Sequence, residues 1–263
     1  MQNAMYSALF GALSNEFRMN SIANNLANVN TTGYKRDLLA FKDTMLMYAH
    51  DHIMEPQASI RDEKFFPDPQ HLARTRIATS VTDFQQGGLK VTSAPFDVAI
   101  SGEGFFKVAS PDGEFYTRNG HFTLNEEGTL VTEQGWPVMS EGGDITIPPG
   151  FKHINIAENG RIFADGEDVG QLLMVTVENL AGLEKQGQNL FKVRDGFDVA
   201  EEEMDFTRSW VAHGFLESAN VEVVYEMVNM IETQRQFEAY QKVMQTSDAI
   251  DREANTKIGR ARG

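Results

Sequence analysis

Apolar positions at the two ends of this chain recur in alternating steps of four and three. Near the start, Met5, Leu9, Ala12, Met19, Ala23 and Leu26 keep that rhythm, interrupted by Glu16. A 3.5-residue repeat gathers side chains along one seam of a helix packed on another. Leu13, Ile22 and Val29 lie beside the seam and widen the apolar face, as a helix with several neighbours needs. The pattern predicts a helix of about 28 residues, roughly 42 Å long at the standard rise, stopped by Thr31, Thr32 and Gly33. Near the other end, Asn220, Val223, Met227, Met230, Gln234, Phe237, Gln241 and Met244 repeat the steps, with no Gly or Pro from Val221 to Ile258. This predicts a second helix of about 35 residues, with Ser218 as N-cap and Glu222 near its first turn. Gln234 and Gln241 on the seam suit a register-setting role. Two long helices of matching period are expected to pair.

Between them the pattern changes. Residues 37–90 show no sustained period; a short helical continuation, an extended connector through Pro67 and Pro69, a strand near Ile77–Phe84 and a turn at Gln86-Gly87-Gly88 are expected. From Val91 to His213 short runs rich in Val, Ile, Phe and Thr are punctuated by turn pairs at Asp112-Gly113, Asn119-Gly120, Glu127-Gly128, Gly142-Gly143, Asn159-Gly160 and Asp165-Gly166. Turns at this spacing predict an antiparallel β domain of several hairpins, with Asn119-Gly120 among the strongest hairpin signals. Leu172–Val177 is the most apolar run and is expected to be a central strand. The expected fold is α+β: paired terminal helices from 1–36 and 215–263 in a coiled-coil-like domain, a connector over 37–90, and a central antiparallel β domain over 91–214.

Four asparagines, Asn24, Asn25, Asn28 and Asn30, crowd the end of the first helix. Their amides compete for backbone hydrogen bonds, so they are costly in a helix unless another segment or chain uses them. Charge points the same way. The net charge of −15 is concentrated in residues 51–214, with 13 basic and 27 acidic side chains, while the ends are near neutral. Near-neutral ends can pack on copies of themselves; an acidic middle is better left in solvent. Nothing resembles a basic stripe with interleaved aromatics, so nucleic acid is not an expected partner.

Catalytic chemistry finds little support. There is no cysteine, hence no disulfide, thiolate metal site or cysteine nucleophile. Gly102-Glu103-Gly104 leads into a strand rather than a helix and reads as a β-turn, not a phosphate loop. His50-Asp51-His52 with Glu55 offers metal-ligand types in a connector, where a polar surface is the better reading. Glu201-Glu202-Glu203 with Asp205 reads as a solvated turn. No cofactor is expected. No Lys or Arg precedes Arg18, so no cleaved secretory signal is expected, and no run is long and apolar enough to span a bilayer.

The chain resembles the bacterial flagellar rod and hook family, the axial proteins of the basal body. The resemblance rests on Ile22-Ala23-Asn24-Asn25-Leu26-Ala27-Asn28-Val29-Asn30-Thr31-Thr32-Gly33-Tyr34-Lys35-Arg36, on Asp97–Phe106, on Tyr116-Thr117-Arg118-Asn119-Gly120-His121-Phe122, and on Glu217-Ser218-Ala219-Asn220-Val221 with Met227–Ile231. Its length and single β domain are similar to those of rod members, the proximal one first and the distal one next. The resemblance implies a periplasmic rod subunit of the basal body, exported by the flagellum's own apparatus without a cleaved signal. It also implies polymerisation with itself and neighbouring rod proteins, with terminal helices around a channel and the β domain outside.

The expected function is therefore structural and non-enzymatic. The expected assembly interface comprises Met5, Leu9, Ala12, Met19, Ala23, Asn24, Asn25, Leu26 and Asn28 on the first helix, and Val223, Met227, Met230, Gln234, Phe237, Gln241 and Met244 on the second. Two other classes compete: a cell-wall hydrolase with a helical anchor, and a coiled-coil adhesin or tail fibre.

Overall fold

The computed structural model describes residues 2–47, 71–140, 142–194, 196–197 and 199–260. The chain is α+β, and it divides into two units. One is formed by residues 1–24, 38–81 and 224–263, the other by 25–37 and 82–223.

The first unit carries most of two long helices, α1 (Gln2–Ala27) and α2 (Val223–Arg260), and most of a two-stranded sheet of Asp37–Met47 with His71–Thr82. The helical continuation expected after residue 37 is a strand instead. Gly33, in the left-handed region at φ 68°, breaks the helix, and the partner run is rich in β-branched residues, Thr75, Ile77, Thr79, Val81 and Thr82. Ala8, Ala12, Asn15 and Ile22 are the buried line of α1, and Glu226 and Thr233 are buried on α2. The two helices approach closely at Gly11, where an added Cβ would lie 2.5 Å from the Tyr240 ring. Ser218 does not cap α2. Its backbone N–H donates to the Gly88 carbonyl (2.8 Å) beside the paired strands Phe215–Glu217 and Leu89–Val91, so the chain stays extended and α2 begins at Val223 with Glu226 in its first turn.

The second unit is antiparallel β in every strand pair with an assigned register. Its largest sheet has six strands in the order Leu183–Gly187, Leu190–Val193, Gly113–Thr117, Phe105–Ser110, Met174–Val177 and Glu201–Glu203. The run expected to be central does supply an inner strand, paired with Phe105–Ser110 on one side and Glu201–Glu203 on the other. Alternate residues along these strands enter two different cores. Phe106, Phe115, Met174 and Leu190 face the larger cluster with Val98, Ile100, Phe122, Leu130 and Ile162. Their neighbours Phe105, Tyr116, Val175 and Phe191 face a smaller one with Val177 and Leu183. The apolar doublets in the sequence are thus the period-2 alternation of a sheet covered on both faces.

Hairpins form at Asp112-Gly113, Glu127-Gly128, Asn159-Gly160 and Asp165-Gly166. Asn119-Gly120 is different. The flanking strands Gly113–Thr117 and Phe122–Leu124 pair elsewhere, and Gly120 lies against the Val98 carbonyl, where a Cβ would be only 1.7 Å from the oxygen. The glycine is there for close backbone approach, which leaves the same dipeptide signature as a tight turn.

Candidate functional site

The three motifs that lie apart in the sequence, Gly33-Tyr34-Lys35-Arg36, Thr117-Arg118-Asn119 and Glu217–Asn220, meet in one buried cluster of the β unit. Gly33 makes it possible. Its N–H donates to the Glu217 carbonyl at 2.7 Å, its φ is positive, and a Cβ would sit 2.5 Å from the Asn119 nitrogen and 2.6 Å from the Arg118 carbonyl carbon. Only glycine meets both the conformational and the steric demand.

The next turn of chain buries Lys35 on Glu217. Their Nζ–Oε1 distance is 2.6 Å, with both side chains 1% exposed. Arg118 reaches the other carboxylate oxygen at 3.4 Å, donates to the Gly102 carbonyl at 2.9 Å and lies over the Phe105 ring, 5.2 Å from its centroid. Lys35 also donates to the Gln85 carbonyl (2.7 Å), and Gly87 N–H donates to Glu217 (2.9 Å). One anion therefore serves two buried cations. Burial holds both Lys35 and Arg118 below their ordinary values, against the opposing pull of Glu217. From the other side Lys185 pairs with Asp37 at 2.8 Å and lies 4.3 Å from the centre of the Tyr34 ring, and Asn189 donates to the Thr32 carbonyl at 2.8 Å.

Asn25 shows where one of the crowded amides goes. Its Oδ1 accepts from Tyr34 Oη and from Asp37 N–H, and its Nδ2 donates to the Asp37 carbonyl, each at 3.0 Å. The amide is used by the same chain, as a clasp on the segment that follows the helix.

Of the residues expected in the assembly interface, Ala12 and Asn25 are buried. Met19, Leu26, Asn28, Met230, Phe237 and Met244 are half-buried, and Met5, Leu9, Ala23, Asn24, Val223, Met227, Gln234 and Gln241 are exposed. The covered stripe on α1 runs through Ala8, Ala12, Asn15, Ile22 and Asn25, which apart from Ala12 is one residue, about 100° of helical turn, away from the expected line. Apolar residues remain exposed on both helices: Tyr6, Leu9, Leu13 and Phe17 on α1, and Val224, Tyr225, Val228 and Ile231 on α2, with Val224 at 76%.

The described residues that were considered for chemistry have structural contacts. Gly102 and Gly104 both have positive φ, and Glu103 N–H donates to Ser209 Oγ at 2.9 Å, a turn. The Glu201 carboxylate holds Tyr116 Oη and, at 2.9 Å, Lys107 Nζ, fastening the last strand of the large sheet to its centre. Glu202 and Glu203 lie in the same strand and are exposed. The His50–Glu55 group lies outside the described residues. Among the described residues no group of three or more His, Asp or Glu side chains is placed to hold a metal, and no helix is long and apolar enough to cross a membrane.

Comparison with known proteins gives three family matches along the chain. Residues 5–35 match the flagella basal body rod protein family, 99–164 the flagellar hook protein FlgE/F/G D1 domain, and 212–257 the flagellar basal body rod FlgEFG protein C-terminal region. The chain is 33% identical over 261 residues to the flagellar basal-body rod protein FlgF of Caulobacter vibrioides, spanning 99% of each. It is 37% identical over 250 residues to the rod protein FlgG of Buchnera aphidicola subsp. Acyrthosiphon pisum, covering 91% of this chain and 94% of that one. It is 33% identical over 259 residues to FlgG of Bacillus subtilis, covering 95% and 97%.

Proposed function

The chain belongs to the family of flagellar basal-body rod proteins, and from that premise we propose how it assembles. It is a structural subunit of the rod, not an enzyme; its place is the flagellar basal body, where it joins other rod components. The proposed interface is the terminal helices, through the exposed faces that carry Leu9, Leu13 and Phe17 on α1 and Val224, Val228 and Ile231 on α2. Contiguous apolar side chains left in solvent are what a polymerising surface requires. The other residues proposed for the interface, Met5, Met19, Ala23, Asn24, Leu26, Asn28, Val223, Met227, Met230, Gln234, Phe237, Gln241 and Met244, complete the packing in coiled-coil fashion between neighbours. Copies of the chain and adjacent rod proteins are the proposed partners, with delivery by the flagellar export apparatus. The proximal position is favoured by the FlgF relative, whose similarity spans 99% of both chains.

One observation carries this reading: Val224, Val228 and Ile231 form an exposed apolar row at steps of four and three on α2. Val228→Asp tests it. The variant is expected to abolish rod assembly and motility while the chain folds and melts as before. Normal motility would exclude that face from the interface.

A further inference from the structure

The chain enters or leaves the β unit at four places, after Asn24, Asp37, Val81 and Val223. Residues of that unit at or near all four are hydrogen-bonded into one ring. Asn25 clasps Asp37 through both its amide atoms, at 3.0 Å each. The Asp37 carboxylate accepts from Thr82 Oγ1 at 3.0 Å. Asp83, next in line, donates its N–H to the Arg36 carbonyl (2.9 Å) and pairs its carboxylate with the Arg36 guanidinium (2.9 Å). Asn220 closes the ring: its Oδ1 accepts from Arg36 N–H at 2.7 Å, and its Nδ2 donates to the Asp83 carbonyl at 2.8 Å.

Two properties distinguish this ring from ordinary loop contacts. The first is that it is polar. Neither hydrophobic cluster of the β unit contains a residue from 25–37, and the bonds that tie that segment to Thr82, Asp83 and Asn220 are hydrogen bonds and an ion pair; Phe84, next in the chain, packs on the smaller cluster and stays with the core. The second is mutual dependence. Arg36, Asp83 and Asn220 each bond both of the others, so losing one leaves part-buried donors and acceptors unpaired on the remaining two. Leaving such groups unmade costs more than forming them gains.

We infer that the ring is a latch: segments 25–37, 82–83 and 218–223 order together and come free together, while the strands of the β core stay closed. The inference rests on these bonds and not on membership of a rod. In a rod it would hold the chain's four exits from the β unit at fixed spacing while load passes along the molecule.

Hydrogen exchange on the full-length chain tests it, with Asn220→Ala and the milder Thr82→Val, which removes one hydroxyl at nearly constant shape. The latch predicts that either substitution raises exchange about tenfold at the amides of Arg36, Asp37 and Asp83 together, with Phe105–Thr117 unchanged. It also predicts that Asn25→Ala and Asn220→Ala, whose side chains share no direct bond, are non-additive in a double-mutant cycle. Exchange rising only beside the substituted residue, or additive effects, would overturn the latch. Exchange rising equally throughout the β core would overturn it as well.

Discussion

The Lys35 ammonium lies 2.6 Å from the Glu217 carboxylate across 182 residues of sequence, with both side chains out of solvent. Glu217 also faces Arg118 and the Gly87 N–H, so it is the shared anion of the cluster, and its partners are not equivalent to it.

Replacing the shared anion should therefore be worse than replacing either cation. Glu217→Gln removes the carboxylate that directly pairs both buried cations, a loss of about 3–5 kcal/mol by the measure of broken buried pairs. Lys35→Met leaves Glu217 with Arg118 and Gly87 and should cost less, about 1–3 kcal/mol. Urea unfolding of the two variants measures the order. A larger loss from Lys35→Met would show that Arg118 does not share the carboxylate.

Gly33→Ala combines a positive φ with a Cβ forced onto the Arg118–Asn119 backbone. The conformational part alone is about 1–2 kcal/mol, and the clash adds to it because the obstructing atoms are backbone. Gly166→Ala is the control: its φ is also positive, but nothing lies within 4 Å of the added carbon. Thermal melts should place Gly33→Ala clearly below Gly166→Ala. Equal melting points would mean that the Gly33 segment moves aside freely.

These contacts mark the limit of what the sequence discloses. The two long helices, the antiparallel middle and the turns at Asp112-Gly113, Asn159-Gly160 and Asp165-Gly166 follow from local periodicity and local backbone demands, which neighbouring residues record. The Lys35–Glu217–Arg118 cluster joins three distant segments, and a lysine after a helix stop looks the same whether it meets solvent or a buried carboxylate. Asn119-Gly120 was legible as glycine-dependent but not as a close backbone approach, since a tight turn and a close approach both call for glycine, one for its φ and the other for its missing Cβ. On the helices the 3.5-residue period was visible, while the choice between Ala8 and Leu9, or Thr233 and Gln234, for the covered stripe depends on which neighbours arrive from elsewhere in the chain.

Glu201 gives a pH test. Burial pushes its carboxyl up, but hydrogen bonds from Tyr116 and Lys107 outweigh this and hold it below the ordinary 4.5. A depressed carboxyl contributes stability that is present above its unfolded value and is lost as pH falls through the lower folded value. The stability difference between the wild-type chain and Glu201→Gln should be constant near neutrality and close as pH drops below about 4.5. A difference that persists unchanged to lower pH would assign the effect to shape and hydrogen bonding, not to the charge.

Ala12 and Leu13 are adjacent, yet one is 4% exposed and the other 41%. A rotation of about 100° separates them on the helix, enough to place them on the covered and open faces of α1. Substitutions there should fail in opposite ways. Ala12→Leu overfills a covered position and should destabilise the isolated chain by about 1–3 kcal/mol. Leu13→Asp puts a charge where the isolated chain meets water, so its effect on melting should be under about 1 kcal/mol. In the rod that same face is proposed to be buried against a neighbour, and an unpaired carboxylate there is strongly disfavoured. Leu13→Asp should thus give a folded subunit absent from isolated basal bodies. Leu26 is a poorer probe, because it follows Asn25 within the β unit and a charge there would disturb folding and assembly together. Basal bodies containing Leu13→Asp at wild-type levels would remove this face of α1 from the interface and leave α2 to carry it.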